Sequence, residues 1–245
     1  MKLEYSIIIP TKNEEEGIAK VLCSIPKEIK RSSETIVSDS SDDLTPVIAK
    51  NLGARVIRVK RGKGRAMRTA ARKSRGKILI FLDGDGTDPP QYIPKLLKKL
   101  EKSDLVLGCR SGRAFKEDDV MMRNLFKIYC TMMKSFFKPI GFNVSDPLAG
   151  FRAIRKKDWD RLKLKSNGLD IETEMDIKAL KEGFKIKEVL IPHFTRAGGL
   201  LKSKVIFHPK IWAQMMNVFL KYITDEKIKT KLRKLKSKIK KEFTP

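Results

Sequence analysis

The feature that most constrains the fold of this chain is an apolar run that ends abruptly in acidic residues. Residues 77–82 have the sequence KILIFL, and Asp83, Gly84 and Asp85 follow directly. An unbroken apolar run of this length predicts a central strand that is buried on both faces. In an open α/β sheet, ligands bind beyond the carboxyl ends of such strands, so the acids are predicted to lie at a binding site.

Asp83 and Asp85 allow two interpretations from these residues alone. Carboxylate oxygens are ligands that suit Mg²⁺ or Mn²⁺, and a glycine between the acids lets the backbone approach a ligand closely. Both acids can reach one ion only if the strand is already turning at Gly84. Asp and Gly are also ordinary turn residues, so a solvated turn is the alternative.

The first hundred residues alternate between strand and helix patterns. Strands are predicted at residues 5–9, 34–37, 55–59, 77–82 and 104–108. Helices are predicted at residues 14–25, 45–52, 64–74 and 90–102. This alternation predicts an α/β fold with a mostly parallel central sheet flanked by helices.

The alternation ends after Gly108. A turn is predicted at residues 146–151 and a strand at residues 184–191. Helices are predicted at residues 120–138, 170–181, 204–223 and 226–241, and the last two are amphipathic. We therefore expect one α/β domain over residues 1–203 and a basic helical tail over residues 204–245.

The charge of the chain indicates anionic partners. Lys and Arg total 54 against 29 Asp and Glu, which gives a net charge of +25. Nucleic acid, anionic lipid and phosphorylated substrates all fit such a charge. We found no zinc-finger, RNP or basic-zipper pattern, so nucleic-acid binding is the weaker expectation.

The tail pattern favours attachment to a membrane surface. Ile228, Leu232, Leu235 and Ile239 form a narrow apolar stripe among Lys and Arg residues, which suits an anionic bilayer. A solvated or oligomerising helix is the alternative. No uncharged apolar stretch reaches 18 residues and no cleavable signal pattern occurs, so we expect a cytoplasmic protein held peripherally at the membrane. The three cysteines fit neither a zinc site nor a disulfide framework.

Seven motifs in order along residues 3–208 resemble those of inverting family-2 glycosyltransferases with the GT-A fold, particularly the dolichyl-phosphate mannose synthase group. They lie at residues 8–14, 36–45, 62–66, 83–85, 108–110, 146–152 and 196–202. The chain departs from the family pattern at Lys12, Ser38, Thr87 and Leu201. Thr87 stands where the mannose synthases often carry a metal-coordinating Gln, which leaves the nucleotide and the sugar open.

The resemblance implies transfer of a sugar from a UDP- or GDP-linked donor to a polyprenyl phosphate of the dolichyl type, with inversion. Asp83 and Asp85 would hold Mg²⁺ or Mn²⁺, which stabilises the charge that develops on the departing diphosphate. Gly84 and Asp85 would contact the donor. The remaining donor contacts implied by the resemblance are Pro10, Thr11, Glu14 and Asp39.

The resemblance also implies a set of catalytic cations, Arg110, Arg196 and Lys202, which act beside Asp85. Two phosphates must meet if the acceptor is a lipid phosphate, and the planar fork of Arg binds phosphate oxygens in pairs. Arg123 is a weaker candidate for the acceptor phosphate.

Several of these residues also have ordinary structural interpretations. Asp39 can cap a helix or a turn, and Glu14 can be a first-turn helix charge. The turn at residues 62–64 can simply start a helix, with Lys63 or Arg65 touching the donor as the other interpretation.

The acceptor decides whether a general base is needed. A phosphate monoester is already anionic and can attack unaided. A sugar hydroxyl needs a positioned carboxylate, for which Asp146 and Glu174 are the candidates. Transfer to a hydroxyl on a soluble or saccharide acceptor is therefore the alternative reaction.

Overall fold

The computed structural model describes residues 3–110, 120–138, 143, 145–192 and 194–198, with isolated positions between 213 and 230. Within this part of the chain, the strands form one seven-stranded sheet. The strands are β1 (Tyr5–Thr11), β2 (Ser33–Asp39), β3 (Arg55–Arg58), β4 (Ile78–Phe81), β5 (Leu105–Arg110), β6 (Arg152–Arg155) and β7 (Ile186–Ile191).

The strand order across the sheet is β3-β2-β1-β4-β6-β5-β7. β6 runs antiparallel to β4 and to β5, whereas the other neighbouring pairs are parallel. The predicted α/β fold with a mostly parallel sheet is confirmed. The carboxyl ends of β1, β2 and β4 therefore meet at one edge, which we call the carboxyl edge.

Helices cover both faces of this sheet. They are α1 (Glu15–Cys23), α2 (Lys27–Arg31), α3 (Thr45–Asn51), α4 (Lys63–Lys73), α5 (Ile93–Leu100), α6 (Val120–Phe137), α7 (Lys156–Leu162) and α8 (Ile171–Lys181), with a 3-10 turn at Pro90–Tyr92. Alternate residues of β1 enter two separate apolar clusters. Ile8 packs with α4, α6, α7 and α8, whereas Ile7 and Ile9 pack with α1, α3 and α5.

The sequence prediction missed β6 and α7. Segment 152–162 is rich in charge, and a four-residue strand that begins with Arg carries no clear apolar pattern. The structure buries Arg152 completely, because its guanidinium forms an ion pair with the equally buried Asp176 of α8. This partner lies 24 residues away, so only the tertiary structure explains why the arginine can enter the sheet.

A second difference concerns the helix predicted at residues 14–25. The structure ends α1 at Cys23 and starts the separate short helix α2 after Pro26. Proline lacks the backbone N–H that a continuous helix would need, and it disfavours a helical residue before it.

The amphipathic helices predicted at residues 204–223 and 226–241 lie outside the described residues, apart from isolated helical positions. The boundary between residues 203 and 204 thus stays a prediction. Among the described residues, no helix has the length and apolarity needed to cross a membrane. In α6, the side chains of Tyr129 and Met133 are buried against the sheet while Ile128 is exposed.

Candidate functional site

The carboxyl edge brings the acidic motifs together through close backbone approaches. The last residues of β1 and β2 are paired, with Thr11 opposite Asp39. At the end of β4, a Cβ on Gly84 would lie 2.8 Å from the Cγ2 of Thr11, so only glycine fits there without a shift. A Cβ on Gly17 of α1 would meet the backbone of residues 84 and 85 at 2.7 Å. The turn after β4 is therefore wedged between β1 and α1.

Asp85 lies at the centre of this edge and shares a cation with Glu14. The guanidinium of Arg196 contacts the carboxylate of Asp85, and its Nη2 lies 2.5 Å from Oε2 of Glu14. Oδ1 of Asp85 also accepts hydrogen bonds from the backbone N–H of Thr87 at 3.0 Å and from its hydroxyl at 2.7 Å. One loop arginine thus bridges the ends of β1 and β4.

The segment that carries Arg196 is docked on the turn after β4 by its backbone. Ala197 donates a hydrogen bond to the carbonyl of Asp85 at 3.0 Å, and Phe194 donates one to the carbonyl of Thr87 at 3.2 Å. Thr87 therefore connects this turn to the loop.

Asp83 faces a different cation. The ammonium of Lys63, at the start of α4, lies 2.6 Å from Oδ1 of Asp83 and 2.7 Å from Oε1 of Glu172 in α8. Burial alone would lower the pKa of Lys63, but the two carboxylates outweigh burial and raise it. Burial alone would raise the pKa of Asp83, but Lys63 outweighs this effect and lowers it.

Gly150 makes room for the Asp83 carboxylate. A Cβ at Gly150 would lie 2.3 Å from Oδ2 of Asp83. Asp88 also lies beside Asp83, because its carboxylate accepts the backbone N–H of Asp83 at 3.1 Å. Burial, together with the negative charge of Asp83, raises the pKa of Asp88 to about 8.

Asp39 is fully buried among hydrogen-bond donors. It accepts the hydroxyl of Thr11 at 2.7 Å and the hydroxyl of Ser41 at 2.5 Å, and it forms an ion pair with Arg58. Ser41 also donates its backbone N–H at 3.2 Å, which is the local turn pattern of an Asx residue. Pro10 is partly buried beside it, opposite Ser38.

Arg110 ends β5 in a bidentate pair with Asp146. Its Nε and Nη2 lie 2.6 and 3.1 Å from the two carboxylate oxygens. Burial alone would lower the pKa of this arginine, but the adjacent Asp146 charge outweighs burial and raises it. The segment after Asp146 is fixed by Arg152, which donates to the carbonyls of Pro147 and Ala149.

The other residues considered from the sequence lie elsewhere or outside the described part. Both oxygens of Glu174 accept backbone N–H groups of Lys165 and Ser166, and its Oε1 lies 2.7 Å from Nζ of Lys178. Arg123 is a helical position of α6 whose side chain lies outside the described residues, and Lys202 lies outside them altogether.

The residues at the carboxyl edge fit a divalent ion whose coordination shell would be completed by substrate oxygens. Within the described residues, no three His, Cys, Asp or Glu side chains form a metal-binding group. Mg²⁺ is usually held by one or two carboxylates together with substrate phosphates, so a full protein cage is not expected. The carboxylate of Asp85, already beside a cation and hydrogen-bonded to Thr87, supplies the hard oxygen ligands that Mg²⁺ or Mn²⁺ prefers.

Sequence reasoning missed two features that shape this edge. The ion pair of Lys63 with Asp83 and Glu172 joins three distant segments, and no spacing rule indicates it. The contact between Gly150 and Asp83 was also missed, although the glycine itself belonged to a recognised motif. The signal that the sequence offered for this contact was a glycine within the charged motif at residues 146–152.

Comparisons with known proteins identify the family of this chain. The family model described as "Glycosyl transferase family 2" matches residues 6–162. A dolichyl-phosphate hexose transferase of Haloferax volcanii is 31% identical over 80% of this chain and 85% of its own length. A dolichol-phosphate mannosyltransferase of Pyrococcus furiosus is 30% identical over 84% of this chain, which spans 61% of that relative.

The fold is also shared with solved structures. Glucosyl-3-phosphoglycerate synthase from Mycobacterium tuberculosis, in complex with Mn²⁺, UDP and glucosyl-3-phosphoglycerate, superposes with a TM-score of 0.70. The two sequences are 23% identical, and the match covers 90% of this chain and 80% of that one. At this identity the likeness concerns the fold alone.

Proposed function

The chain belongs to glycosyl transferase family 2, and from this premise we propose that it transfers a sugar from a UDP- or GDP-linked donor to a polyprenyl phosphate of the dolichyl type, with inversion. The observation that carries the proposal is the bridge of Arg196 between Asp85 and Glu14 at the carboxyl edge. It places acidic and cationic groups together where a parallel sheet binds its ligand. The names of the Haloferax and Pyrococcus relatives support this acceptor class.

Asp85 and Asp83 are the residues proposed to hold Mg²⁺ or Mn²⁺ with the donor diphosphate. When bound, the ion would stabilise the negative charge that develops on the departing diphosphate. Asp85 is the stronger ligand candidate, because its present cation belongs to a loop. Asp83 is held by Lys63 of α4, which is itself fixed by a second ion pair with Glu172 of α8.

Arg196, Arg110 and Lys202 are proposed to offset the repulsion between the donor diphosphate and an acceptor phosphate. The guanidinium of Arg196 already lies against Asp85, so it is within reach of phosphates that a metal ion would hold at that carboxylate. Arg110 is held in a fixed orientation by its bidentate pair with Asp146. A planar guanidinium that is fixed in this way binds phosphate oxygens with little further ordering.

Pro10, Thr11, Glu14 and Asp39 are proposed to bind the nucleoside, with Gly84 permitting close contact to the donor. Thr11 and Asp39 share a hydrogen bond at the adjoining ends of β1 and β2. A base or ribose would enter this existing set of donors and acceptors.

Both candidate bases are already engaged by hydrogen-bond donors, which favours a phosphate acceptor over a hydroxyl acceptor. Asp146 is engaged by both nitrogens of the Arg110 fork, and Glu174 is engaged by backbone N–H groups. Neither carboxylate is thus placed to take a proton from a hydroxyl, whereas a phosphate monoester needs no such base.

We place the enzyme peripherally on the cytoplasmic face of a membrane. The support is the cationic tail at residues 204–245, whose apolar stripe suits an anionic bilayer surface. Such attachment would hold the carboxyl edge near a lipid-linked phosphate. We expect no nucleic-acid partner.

The test is to incubate the purified chain with radiolabelled UDP- and GDP-sugars, with and without polyprenyl phosphate, in Mn²⁺ or Mg²⁺. Label that enters the organic phase only when polyprenyl phosphate and metal are both present supports the proposal. Label found only in a water-soluble product would contradict a polyprenyl phosphate acceptor. The anomeric configuration of the product, read by NMR, tests inversion.

A further inference from the structure

We propose that a basic groove between α4 and α7 binds a phosphate ester at a site separate from the carboxyl edge. The groove has a volume of about 310 Å³, and its walls include Arg65, Arg68, Arg72, Trp159 and Lys163. A cavity of this volume falls at the lower end of the range for small-molecule sites. The proposal does not depend on the function proposed above.

The charge of the groove is concentrated by helical geometry. Arg65, Arg68 and Arg72 are spaced at i, i+3 and i+7 along α4, which places them on one face of the helix. Lys163 adds a fourth positive charge from the end of α7, and Asp160 is the one acid among the lining residues. Four positive charges thus face one negative charge around the same space.

These arginines lack the carboxylate partners that other arginines of the chain have. Ion pairs with Asp or Glu are formed by the arginines at positions 55, 58, 75, 110, 152, 155, 161 and 196. Within the described residues, Arg65, Arg68, Arg72 and Lys163 form none. Their mutual repulsion is relieved by an anion that binds between them.

Arg68 gives the second sign of a ligand. One arm of its guanidinium donates a hydrogen bond to the side-chain oxygen of Asn167. Its Nε is buried and has no hydrogen-bond partner among the described residues. A buried donor that lacks an acceptor is unfavourable, and a phosphate oxygen would be a strong acceptor for this group once the side chain turns toward the groove.

Trp159 forms a rigid apolar wall beside the cations. Its side chain is 6% exposed, and its ring packs on that of Phe81 with the centroids 4.8 Å apart. An inorganic phosphate would fill only part of the groove, which leaves space for an organic group against the indole. The combination therefore fits an organic phosphate ester, either a free metabolite or the headgroup of a phospholipid.

The groove arginines and Lys63 lie on different faces of α4, because residues 65, 68 and 72 are each turned away from residue 63 by the helical repeat. Asn167 and Gly168 accept the backbone N–H groups of Arg65 and Gly64 at 3.3 and 3.0 Å. These hydrogen bonds join the amino end of α4 to the segment that precedes α8. A ligand in the groove would lie beside the arginine face of α4, whereas Lys63 contacts Asp83.

The experiment uses the full chain and two probes. Glycerol 3-phosphate, titrated by calorimetry, represents a free phosphate ester. Phosphatidylcholine vesicles with and without phosphatidylglycerol, tested by cosedimentation, represent the lipid source. The test variant is Arg68→Gln/Arg72→Gln, and the matched control is Lys73→Gln/Lys77→Gln, which removes two exposed cations outside the groove.

We expect binding of at least one probe to weaken by about tenfold in the groove variant and by less than about twofold in the control. Weaker binding of glycerol 3-phosphate by the groove variant than by the control identifies a free ester. Weaker binding confined to anionic vesicles identifies a lipid headgroup, and it is read against the control because the basic tail is itself proposed to bind such vesicles. Binding that persists in Arg196→Gln assigns it to the groove rather than to the carboxyl edge. If the double variant does not fold, Arg72→Gln alone is measured, since Arg72 is exposed and forms no ion pair within the described residues.

Equal weakening in the test and control variants would overturn the proposal, because it would reflect net charge alone. Failure of the wild-type chain to bind either probe would overturn it as well. If the wild-type chain binds the phosphate probe but transfers no sugar, the result counts against the proposed function and not against the groove.

Discussion

The two edges of the sheet use buried acids in contrasting ways. The opposite end of the parallel strands, where β1, β2 and β4 begin, is the amino edge. There Glu34, at the start of β2, accepts the hydroxyl of Ser6 at 2.8 Å and the backbone N–H of Arg75 at 2.5 Å. Arg55 lies 3.2 Å from the same carboxylate. At the carboxyl edge, Asp85 shares the guanidinium of Arg196 with Glu14.

The difference between the edges lies in where the partners come from. Glu34 is held mainly by its neighbours in the sheet and by the turn that leads into β4, so its hydrogen bonds close a structural corner. Asp85 is held by an arginine 111 residues away on a loop, which phosphates and a metal can compete for. Burial and pairing with arginine do not distinguish a ligand site from a structural one, whereas strand direction does.

The largest expected effect comes from the change Asp85→Asn. Transfer should fall by about 10²–10³-fold, because the amide is a poor metal ligand and cannot form an ion pair with Arg196. The matched change at the opposite edge, Glu34→Gln, should leave the transfer rate within about twofold of wild type. Both are measured as initial rates at saturating metal. If the transfer rate fell equally in the two variants, the assignment of a ligand site to the carboxyl edge and a structural role to the amino edge would be contradicted.

The change Lys63→Met should have the next largest effect, on stability. It leaves Asp83 and the buried Glu172 without their shared cation, so the free energy of unfolding should fall by about 3 kcal/mol. Urea unfolding measures the change, with Lys77→Met as a control at an exposed lysine. A loss no greater than that of the control would show that the acids of the carboxyl edge do not need this cation.

Glu34→Gln should lower the free energy of unfolding by about 1–3 kcal/mol, since the amide cannot accept all the donors that surround the carboxylate. Gln keeps the shape of Glu, so the loss reports charge and hydrogen bonding rather than a cavity. The same urea experiment applies. A stable variant with impaired transfer would contradict the structural role assigned to the amino edge.

The smallest expected effect is the pH dependence of the difference in free energy of unfolding between wild type and Glu34→Gln. Burial alone would raise the pKa of Glu34, but the Arg75 N–H, the Ser6 hydroxyl and the charges of Arg55 and Arg75 outweigh it and lower the pKa. A lowered folded pKa contributes stability above the unfolded value of about 4.3, and this stability is lost as pH falls. The stability difference between wild type and Glu34→Gln should therefore narrow as the pH falls from about 6 to about 3. A constant difference over this range would contradict the assignment.

The sequence predicted the parallel part of the fold well because its signals are local. Each apolar run of β1, β2 and β4 ends in polar residues, so strand direction alone predicts that Thr11, Asp39 and Asp83 meet at one edge. β6 escaped prediction because Arg152 becomes a core residue only when Asp176 neutralises it. That partner is set by tertiary packing, which no local pattern records.

The candidate site was predictable in position but not in pairing. Motif order indicated the acids and Arg196, yet nothing in their spacing indicated that Arg196 bridges Glu14 and Asp85. The same holds for Lys63, which the sequence indicated as a possible donor contact but not as the partner of Asp83 and Glu172. Pairing depends on the path of the chain between motifs, and that path is fixed by the core.

The most direct test of the central claim is the binding of UDP and GDP to the wild-type chain, to Asp85→Asn and to Glu34→Gln, titrated by calorimetry with and without Mn²⁺. We predict that wild type and Glu34→Gln bind one of the nucleotides in a Mn²⁺-dependent manner, and that Asp85→Asn loses the Mn²⁺-dependent part. Nucleotide binding that is the same with and without Mn²⁺, or that is unchanged in Asp85→Asn, would contradict the account.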